Sequence, residues 1–110
     1  MSKTFETTEP ARADIDARRG SLLLEFGSHN CGHCRRAEPL IEQALAAAPG
    51  VAHMKIADGP GQPLGRSFGV RLWPTLVFLQ DGVEKARVVR PERKVQVDEA
   101  LRQIAPATTP

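Results

Sequence analysis

The sequence has few cysteines, no long apolar run and little net charge, and each shortage excludes a class of protein. Only two of its 110 residues are cysteine, which excludes a small secreted domain held by several disulfides. No apolar run approaches the roughly 20 residues that a membrane-spanning helix needs. A formal net charge of +2 is too small to indicate a nucleic acid or a membrane surface as a partner.

The beginning of the sequence also lacks the pattern of a secretory signal. Residues 1–10 are polar and have no basic start followed by an apolar stretch. We therefore expect a cytoplasmic protein. In that compartment, a close pair such as Cys31 and Cys34 is more typical of redox or metal chemistry than of a structural bridge. A bridge between them would close a loop too short to add much stability.

What the sequence does contain is enough apolar residues for one globular domain. Hydrophobic residues make up 41% of it and charged residues 25%, which are usual proportions for a chain that folds around a single core. We place this domain at residues 1–105. Residues 106–110 are rich in proline and threonine and are expected to form a flexible tail.

Apolar periodicity predicts strands that alternate with helices and end in a hairpin. The first half of the chain is predicted to form an edge strand at 3–7, a helix from Thr8 to Gly20, a buried strand at 22–26 and a helix from Cys31 that ends before Pro49, with Asn30 as its cap. The second half is predicted to form a strand at 51–56, a short helix at 64–68, strands at 75–79 and 84–89, and a last helix around 97–104. Asp81-Gly82 is the predicted turn between the last two strands. Pro39 is expected to kink the second helix. This order predicts an α/β fold in which helices cover both faces of a mixed sheet.

The motif with the clearest chemistry is Cys31-Gly32-His33-Cys34, which follows a buried strand and opens a helix. Unpaired backbone N–H groups and the helix dipole favour negative charge there, so we expect Cys31 to be enriched in the reactive thiolate. Gly32 is expected to allow a tight turn. Cys34, one turn later and less exposed, is expected to resolve a mixed disulfide formed at Cys31. The cysteine pair itself carries the electrons, so no separate cofactor is predicted.

Three side chains around this motif have two interpretations each. His33 either stabilises the Cys31 thiolate, which makes the protein more oxidising, or is an idle solvated residue. Glu25, an acid in an apolar strand, is either buried, with a pKa raised by burial that suits a proton acceptor for Cys34, or turned to solvent by the alternation of the strand. Lys55, on the next strand, either neutralises Glu25 or is a solvated edge lysine.

Two other functions compete with thiol exchange. The first is a metal-binding module, because ligand atoms for zinc or copper occur on Cys31, Cys34, His29 and His33. These four residues are crowded at a helix start and no second cysteine pair exists, so we assign no metal site. The second is a docking platform without catalysis, which two intact cysteines and a nearby acid disfavour. His29 and His53 are otherwise expected at the surface.

Taken in register, these residues resemble the thioredoxin family. Leu24-Glu25-Phe26 precedes Cys31-Gly32-His33-Cys34-Arg35, Pro39 stands where that family kinks its active-site helix, and Val70-Arg71-Leu72-Trp73-Pro74-Thr75 matches its cis-proline segment. The resemblance covers Leu22 to about Ala105 and implies the thioredoxin fold, with a central mixed sheet of four to five strands. It also implies a monomeric disulfide oxidoreductase that acts on protein or small-molecule disulfides. A reductase or thiol donor, which the sequence does not identify, would reduce its disulfide back to the dithiol.

The resemblance also implies roles for individual residues. Cys31 would be the nucleophile, Cys34 the resolving thiol and Glu25 the buried acid. Pro74 begins an apolar strand. The residues alone do not decide whether it simply marks the start of that strand or forms a cis peptide bond with Trp73. The family pattern implies a cis Trp73–Pro74 bond packed against the cysteines. It also implies that the backbone of Trp73 pairs with an extended substrate strand.

The sequence departs from the family pattern at several positions near the motif. Cys-Gly-His-Cys together with Glu25 looks like the catalytic domains of protein disulfide isomerase, because bacterial thioredoxins usually carry proline in place of His33 and aspartate in place of Glu25. Aromatic residues are common just before the first cysteine and at a second nearby position, where this chain has Asn30 and Gly27. The direction of electron flow is therefore left open.

A further departure concerns the docking surface. After the last strand, where the family often has glycine, this chain has the charged run Arg90-Pro91-Glu92-Arg93-Lys94. Arg90 is therefore grouped with Trp73 and Pro74 as a substrate-contacting residue. The basic charges predict a partner with acidic segments beside its reactive cysteine, unless they are solvated and idle.

Overall fold

Residues 4–104 of the chain are described by a computed structural model. Within them, helices and strands follow one another as α1 Arg12–Ala17, β1 Ser21–Gly27, α2 Gly32–Ala46, β2 Val51–Ala57, α3 Pro63–Ser67, β3 Thr75–Gln80, β4 Val83–Val89 and α4 Lys94–Arg102. Most of these elements lie within a residue or two of their predicted bounds. The tail predicted at 106–110 lies outside the described residues.

The strands form one mixed sheet in the order β2-β1-β3-β4. β1 runs parallel to β2 and antiparallel to β3, and β4 returns antiparallel to β3. The predicted α/β architecture with a mixed sheet is therefore confirmed, with four strands in the described part of the chain. All of β1 is buried, because it lies inside the sheet and both of its faces are covered. Among residues 4–104, no helix has the length and apolar character needed to cross a bilayer.

The edge strand predicted at 3–7 is wrong for the part that the structure describes. Glu6 makes one isolated bridge to Ile56 at the edge of β2. The chain leaves the sheet after this bridge, and the Gln62 side chain, just before α3, donates a hydrogen bond of 3.0 Å to the carbonyl oxygen of Thr7. Position 3 lies outside the described residues.

The first helix is shorter than the Thr8-to-Gly20 segment that the sequence predicted. It covers only Arg12–Ala17. Glu9 does not start the helix, because its Oε1 accepts a hydrogen bond of 2.8 Å from Leu64 N at the beginning of α3. Gly20 has a φ of +90° and belongs to the connection that leads into β1.

The hairpin predicted at Asp81-Gly82 is confirmed. Both residues have positive φ, 51° and 80°, as a tight two-residue turn requires. Asp81 Oδ1 also accepts a hydrogen bond of 2.8 Å from Gly20 N, which fixes the turn against the start of β1. A side chain at Gly82 would collide with the backbone of Asp16, so glycine is required there.

Two apolar clusters fill the two sides of the sheet, which we call the α2 face and the α1 face. The α2 face is covered by α2 and α4 and contains Leu23, Ile41 and Phe78. The α1 face is covered by α1 and α3 and contains Leu22 and Phe26. Successive strand residues point to opposite faces, so alternation along β1 moves a side chain from one buried face to the other and never to solvent.

Candidate active site

The first cysteine of the motif is itself the cap of α2. Cys31 has extended backbone angles, φ −100° and ψ 114°, and its Sγ accepts a hydrogen bond of 3.1 Å from Cys34 N. The sequence predicted Asn30 as this cap. That prediction is wrong because a turn from Ser28 O to Cys31 N sets the helix start one residue later. The sulfur therefore occupies the position from which a hydroxyl or carboxylate usually binds the first turn of a helix.

Cys34 is the buried member of the pair. Only 3% of it is exposed, which confirms that the second cysteine is the less accessible one, and both cysteines are free thiols. Burial, and then the hydrogen bond with Cys31, raises the pKa of Cys34 to about 12, and the negative charge of Glu25 adds to the rise. Cys34 is therefore protonated near neutral pH. Its attack on a disulfide requires a group that removes this proton.

A glycine shapes the space around the buried sulfur. A Cβ at Gly27 would lie 2.6 Å from Cys34 Sγ and 2.7 Å from Phe5 Cζ, so no larger residue fits without displacing them. The family resemblance implies an aromatic residue at this position, and here the ring of Phe5 fills the space instead. That ring also lies 4.4 Å from Lys55 Nζ, close enough for a cation–π contact.

The residue before Pro74 contacts the first cysteine. The Trp73–Pro74 peptide bond is cis, and the carbonyl oxygen of Trp73 lies 3.8 Å from Cys31 Sγ. The same oxygen accepts a hydrogen bond of 2.9 Å from Arg90 Nε. Three of the residues singled out from the sequence, Cys31, Trp73 and Arg90, thus meet around one carbonyl oxygen.

Sequence reasoning missed Asp58, which positions Trp73. Asp58 Oδ2 accepts a hydrogen bond of 2.8 Å from the indole Nε1 of Trp73. A Cβ at Gly65 would collide with the Asp58 carboxylate, so the glycine lets this carboxylate approach α3 closely. The available signal was an acid directly after a parallel strand, but the local pattern does not indicate its partner.

Glu25 is buried, as one of its two interpretations predicted. Only 1% of it is exposed, and the alternative that it points to solvent is wrong because both faces of β1 are covered. Glu25 Oε1 lies 2.8 Å from His53 Nε2. Within residues 4–104, Glu25 Oε2 has no hydrogen-bond partner. The carboxyl group is thus held from one side only, and it acts electrostatically on Cys34.

Two residues of β2 surround this carboxyl group on the α2 face. Lys55 is the register partner of Glu25 and is 5% exposed, so its interpretation as a solvated edge lysine is wrong. Its Nζ lies 3.1 Å from Glu38 Oε2 of α2. The side chain of His53 is 12% exposed, so its expected place at the surface is only partly right: it is mostly buried and reaches the surface at a cleft. The signal for His53 was its position two residues before Lys55, on the same face of the strand.

The middle residues of the motif differ from expectation in part. Gly32 begins α2 without the positive φ that favours glycine, and a Cβ there would meet only the flexible end of Arg36 at 3.4 Å. The predicted need for a tight turn at Gly32 is therefore wrong.

His33 is exposed, and its Nδ1 lies 3.1 Å from an Arg36 guanidinium nitrogen. Partial desolvation, and then the charges of Arg90 and Arg36, lowers the pKa of His33, so the ring is mostly neutral at pH 7.

A cleft of about 710 Å³ lies beside the motif. It is lined by His33, Arg36, Leu40, Arg90, Pro91 and Glu92. The basic run that the sequence singled out at 90–94 does not act as one surface, because Lys94 Nζ pairs with Asp98 at 2.9 Å along α4. The positive side of the cleft consists of Arg36 and Arg90.

The ligands of the metal hypothesis are not gathered into a site. Among residues 4–104, no group of three or more histidine, cysteine, aspartate and glutamate side chains is placed to hold a metal ion. His29 is exposed, as expected, and its ring lies against that of Phe5 with centroids 5.9 Å apart.

Comparison with known proteins places this site in a family. The family model described as Thioredoxin matches residues 3–103. Putative thioredoxin 2 of Streptomyces coelicolor is 30% identical over 118 residues, which cover 96% of this chain and 87% of that protein. Protein disulfide-isomerase A2 of Pongo abelii is 44% identical over 66 residues, which cover 56% of this chain. The matched part is 13% of that much longer isomerase.

The architecture agrees with the sequence match. The structure of thioredoxin 2 from Pseudomonas aeruginosa PAO1 in its reduced form superposes with a TM-score of 0.84 and 48% sequence identity, covering 93% of this chain and 94% of that one. The matched region contains the strand, the cysteine motif and the helix that form the site. The chain belongs to the thioredoxin family and is a thiol–disulfide oxidoreductase of that family.

Proposed function

We propose that this monomeric protein exchanges its Cys31–Cys34 dithiol with disulfides of other proteins in the cytoplasm, with no cofactor beyond the two sulfurs. The observation that best supports this proposal is the unequal access to the two sulfurs. Cys31 is half-buried and lies against the Trp73 carbonyl, whereas Cys34 is 3% exposed. An incoming disulfide therefore meets Cys31 first. A cytoplasmic location is consistent with a chain whose only two cysteines form this reactive pair.

The first step is an attack by the Cys31 thiolate on one sulfur of the substrate disulfide. A bond forms between Cys31 Sγ and that sulfur, and the second substrate sulfur leaves with the electron pair and takes a proton from water. The N–H of Cys34, which donates to Cys31 Sγ, stabilises negative charge on the attacking sulfur.

The second step releases the substrate. Cys34 gives its proton to the Glu25 carboxylate and attacks Cys31 Sγ, which forms the Cys31–Cys34 disulfide and expels the remaining substrate sulfur as a thiolate. The substrate gains two electrons and the protein loses two. A thiol donor or a reductase that supplies two electrons then regenerates the dithiol.

The edge of the site beside Cys31 offers a backbone for the substrate chain. An extended peptide would pair with the backbone of Trp73, as in strand addition. The carbonyl oxygen of Trp73 already accepts from Arg90 Nε, so Arg90 holds this acceptor in place next to the reacting sulfur. Asp58 holds the indole of the same residue. Trp73 is thus fixed at both its side chain and its carbonyl group.

The charges of the cleft favour a particular substrate. Arg36 and Arg90 line it with a single opposing carboxylate, that of Glu92. A carboxylate close to the attacked cysteine of a substrate would lie in this positive field. We therefore propose that acidic disulfide segments react faster than basic ones.

A three-variant experiment tests the exchange reaction. Wild type, Cys31→Ser and Cys34→Ser are compared in the reduction of a protein disulfide by dithiothreitol. Cys31→Ser is expected to lose all turnover. Cys34→Ser, mixed with the same disulfide in the absence of dithiothreitol, is expected to hold the substrate as a mixed disulfide on Cys31, which mass spectrometry detects. Turnover by Cys31→Ser equal to that of wild type contradicts the proposal, and a partner that binds equally well without this sulfur supports a docking platform instead.

The charge preference has its own test with two disulfide peptides that differ only in aspartate or lysine beside the cysteine. Arg36→Gln is expected to slow reaction with the acidic peptide about two- to fivefold, which is the effect of one exposed ion pair, and to leave the basic peptide unchanged or slightly faster. Lys94→Gln is the control, because Lys94 is paired with Asp98 outside the cleft. Equal changes with both peptides would remove the preference.

A further inference from the structure

A buried carboxyl–imidazole pair on the α2 face has no part in the family resemblance. Glu25 Oε1 and His53 Nε2 are 2.8 Å apart, and the two side chains are 2% and 12% exposed. Glu25 belongs to β1 and His53 to the neighbouring parallel strand β2, so the sheet itself fixes the distance between them.

The proposed resolving step creates a need that Glu25 does not meet alone. Once Glu25 has taken the proton of Cys34, the proton must leave before another cycle, and a carboxyl group that is 1% exposed has no direct contact with bulk water. A buried base without an exit would stay protonated and stop acting as a base.

His53 provides a path from this carboxyl group to the surface. Its ring lines a cleft of about 500 Å³ at the outer edge of β2, together with Thr4, Glu6 and Thr8. Its Nε2 contacts Glu25 Oε1, and the same side chain borders the cleft. An imidazole passes protons efficiently because it accepts at one nitrogen and releases from the other.

The other charged groups near the pair do not offer the same route. Lys55, on the same strand, also lines this cleft, but it is 5% exposed and its ammonium group is held by Glu38 of α2. On the opposite side, the register partner of Glu25 in β3 is Leu76, which carries no charge. Beyond these, Cys34 of α2 faces Glu25 and Glu6 borders the cleft of His53.

We propose that His53 is the proton exit of the resolving step, an inference that rests on the proposed exchange reaction. The protonated Glu25 donates its O–H to His53 Nε2, the carboxylate is restored, and the imidazolium passes a proton from Nδ1 towards the cleft. In the opposite direction of exchange, the same path delivers a proton to the Cys34 thiolate. His53 is a positioning and proton-transfer residue that acts through Glu25 and does not touch the substrate.

The test separates the two steps of exchange in single turnovers with a disulfide peptide. Reactions are quenched with acid, and mass spectrometry measures the mixed disulfide and the Cys31–Cys34 disulfide. His53→Gln keeps a polar nitrogen near Glu25 but cannot titrate. It is expected to slow the resolving step about tenfold or more at pH 7. Alkylation of Cys31 is expected to stay within twofold of wild type.

Two further measurements distinguish proton transfer from a structural role. In His53→Ala, added imidazole is expected to restore part of the resolving rate, whereas His53→Gln is expected not to respond, since its side chain still fills the site. The resolving rate of His53→Gln is expected to rise more steeply with pH than that of wild type. His29→Gln is the matched control, because His29 is an exposed histidine outside the proposed path.

The results that overturn the inference are specific. A resolving rate of His53→Gln within twofold of wild type, with the same pH profile, overturns it. Equal losses in Cys31 alkylation and in resolution, without imidazole rescue of His53→Ala, indicate a structural role and also overturn it. If wild type itself forms no disulfide with the peptide, the proposed exchange function fails. If wild type and His53→Gln are both active and equally fast, only the role of His53 fails.

Discussion

Both faces of the sheet are covered, but they bury different kinds of side chain. Within residues 4–104, the α1 face buries the hydroxyl of Thr75 but no ionisable side chain, and its apolar cluster consists of Ile15, Leu22, Leu24, Phe26, Ile56, Leu64, Phe68, Val77 and Leu79. The α2 face also has an apolar cluster, yet it buries the carboxyl group of Glu25 and the ammonium group of Lys55 beside it.

Because of this difference, the two faces have different roles: the α1 face stabilises the fold, and the α2 face holds the groups that react. Apolar burial stabilises the fold by about 25 cal/mol per Å², whereas a buried carboxyl group costs free energy unless it is neutral or well paired. Glu25 has hydrogen-bond contact at only one of its oxygens within residues 4–104. The α2 face therefore accepts a destabilising group next to Cys34. The α1 face supplies stability without taking part in the reaction.

The largest expected effect is the loss of stability on the α1 face. Phe26 is fully buried there, and Phe26→Ala is expected to lower the free energy of unfolding by about 3–5 kcal/mol. Urea unfolding of the reduced protein measures it. The exchange rate per folded molecule is expected to stay within twofold, and a tenfold loss would show that the two faces are not separate in function.

The next expected effect is on the α2 face, where removing a charged group does not lower the free energy of unfolding. Glu25→Gln removes a buried ionisable group while keeping its shape and a polar contact for His53. It is expected to leave the free energy of unfolding unchanged or raise it by about 1–3 kcal/mol, and to slow the resolving step at least tenfold. The double variant with His53→Gln is expected to be no slower than Glu25→Gln alone. A clear loss of stability in Glu25→Gln contradicts the comparison of the two faces.

The third effect is a pH dependence on the α2 face. The pKa of Cys34 is raised by folding from 9.0 to about 12, so the folded state holds this proton more tightly than the unfolded chain. The resulting stabilisation is complete below pH 9 and is lost as the pH rises towards 12. The unfolding free energy of the reduced protein is expected to fall by about 1 kcal/mol per pH unit in that window. Cys34→Ala is expected to show a flatter profile, and identical slopes would contradict the assignment.

The smallest expected effect concerns His33, outside both faces. Because nearby positive charge and partial desolvation lower the pKa of His33, the ring carries little charge at pH 7. His33→Gln is therefore expected to change the alkylation rate of Cys31 less than twofold at pH 7 to 8. A difference from wild type is expected to emerge only at acidic pH. A large change at pH 8 would restore the role of His33 in stabilising the Cys31 thiolate.

The sequence predicts well those parts of the fold that depend on neighbouring residues. The apolar run of β1, the helical spacing of α2 and the hairpin at Asp81-Gly82 are local patterns, and each appears in the structure. The apolar neighbours of Glu25 made its burial one of two interpretations, and the covering of both faces of β1 decides between them. The cap of α2 was not predictable, because the choice between Asn30 and Cys31 depends on the turn that precedes the helix.

The partners of the site residues depend on long-range register, which composition and periodicity do not contain. His53 meets Glu25 only because β2 pairs with β1 in one particular parallel register. Asp58 meets Trp73 across a separation of 15 residues, and Arg90 reaches the same residue from the end of β4 through a backbone with a φ of +50°. These contacts appear only when the sheet is assembled.

The fixed position of Trp73 also has a practical consequence. It is the only tryptophan, and the chain has no tyrosine, so ultraviolet-excited emission of the protein comes almost entirely from this indole. Asp58 anchors the ring while the carbonyl group of the same residue touches Cys31. Oxidation of the dithiol is therefore expected to alter the surroundings of the only tryptophan. A titration of its emission against a dithiol buffer would then give the midpoint potential without any attached label.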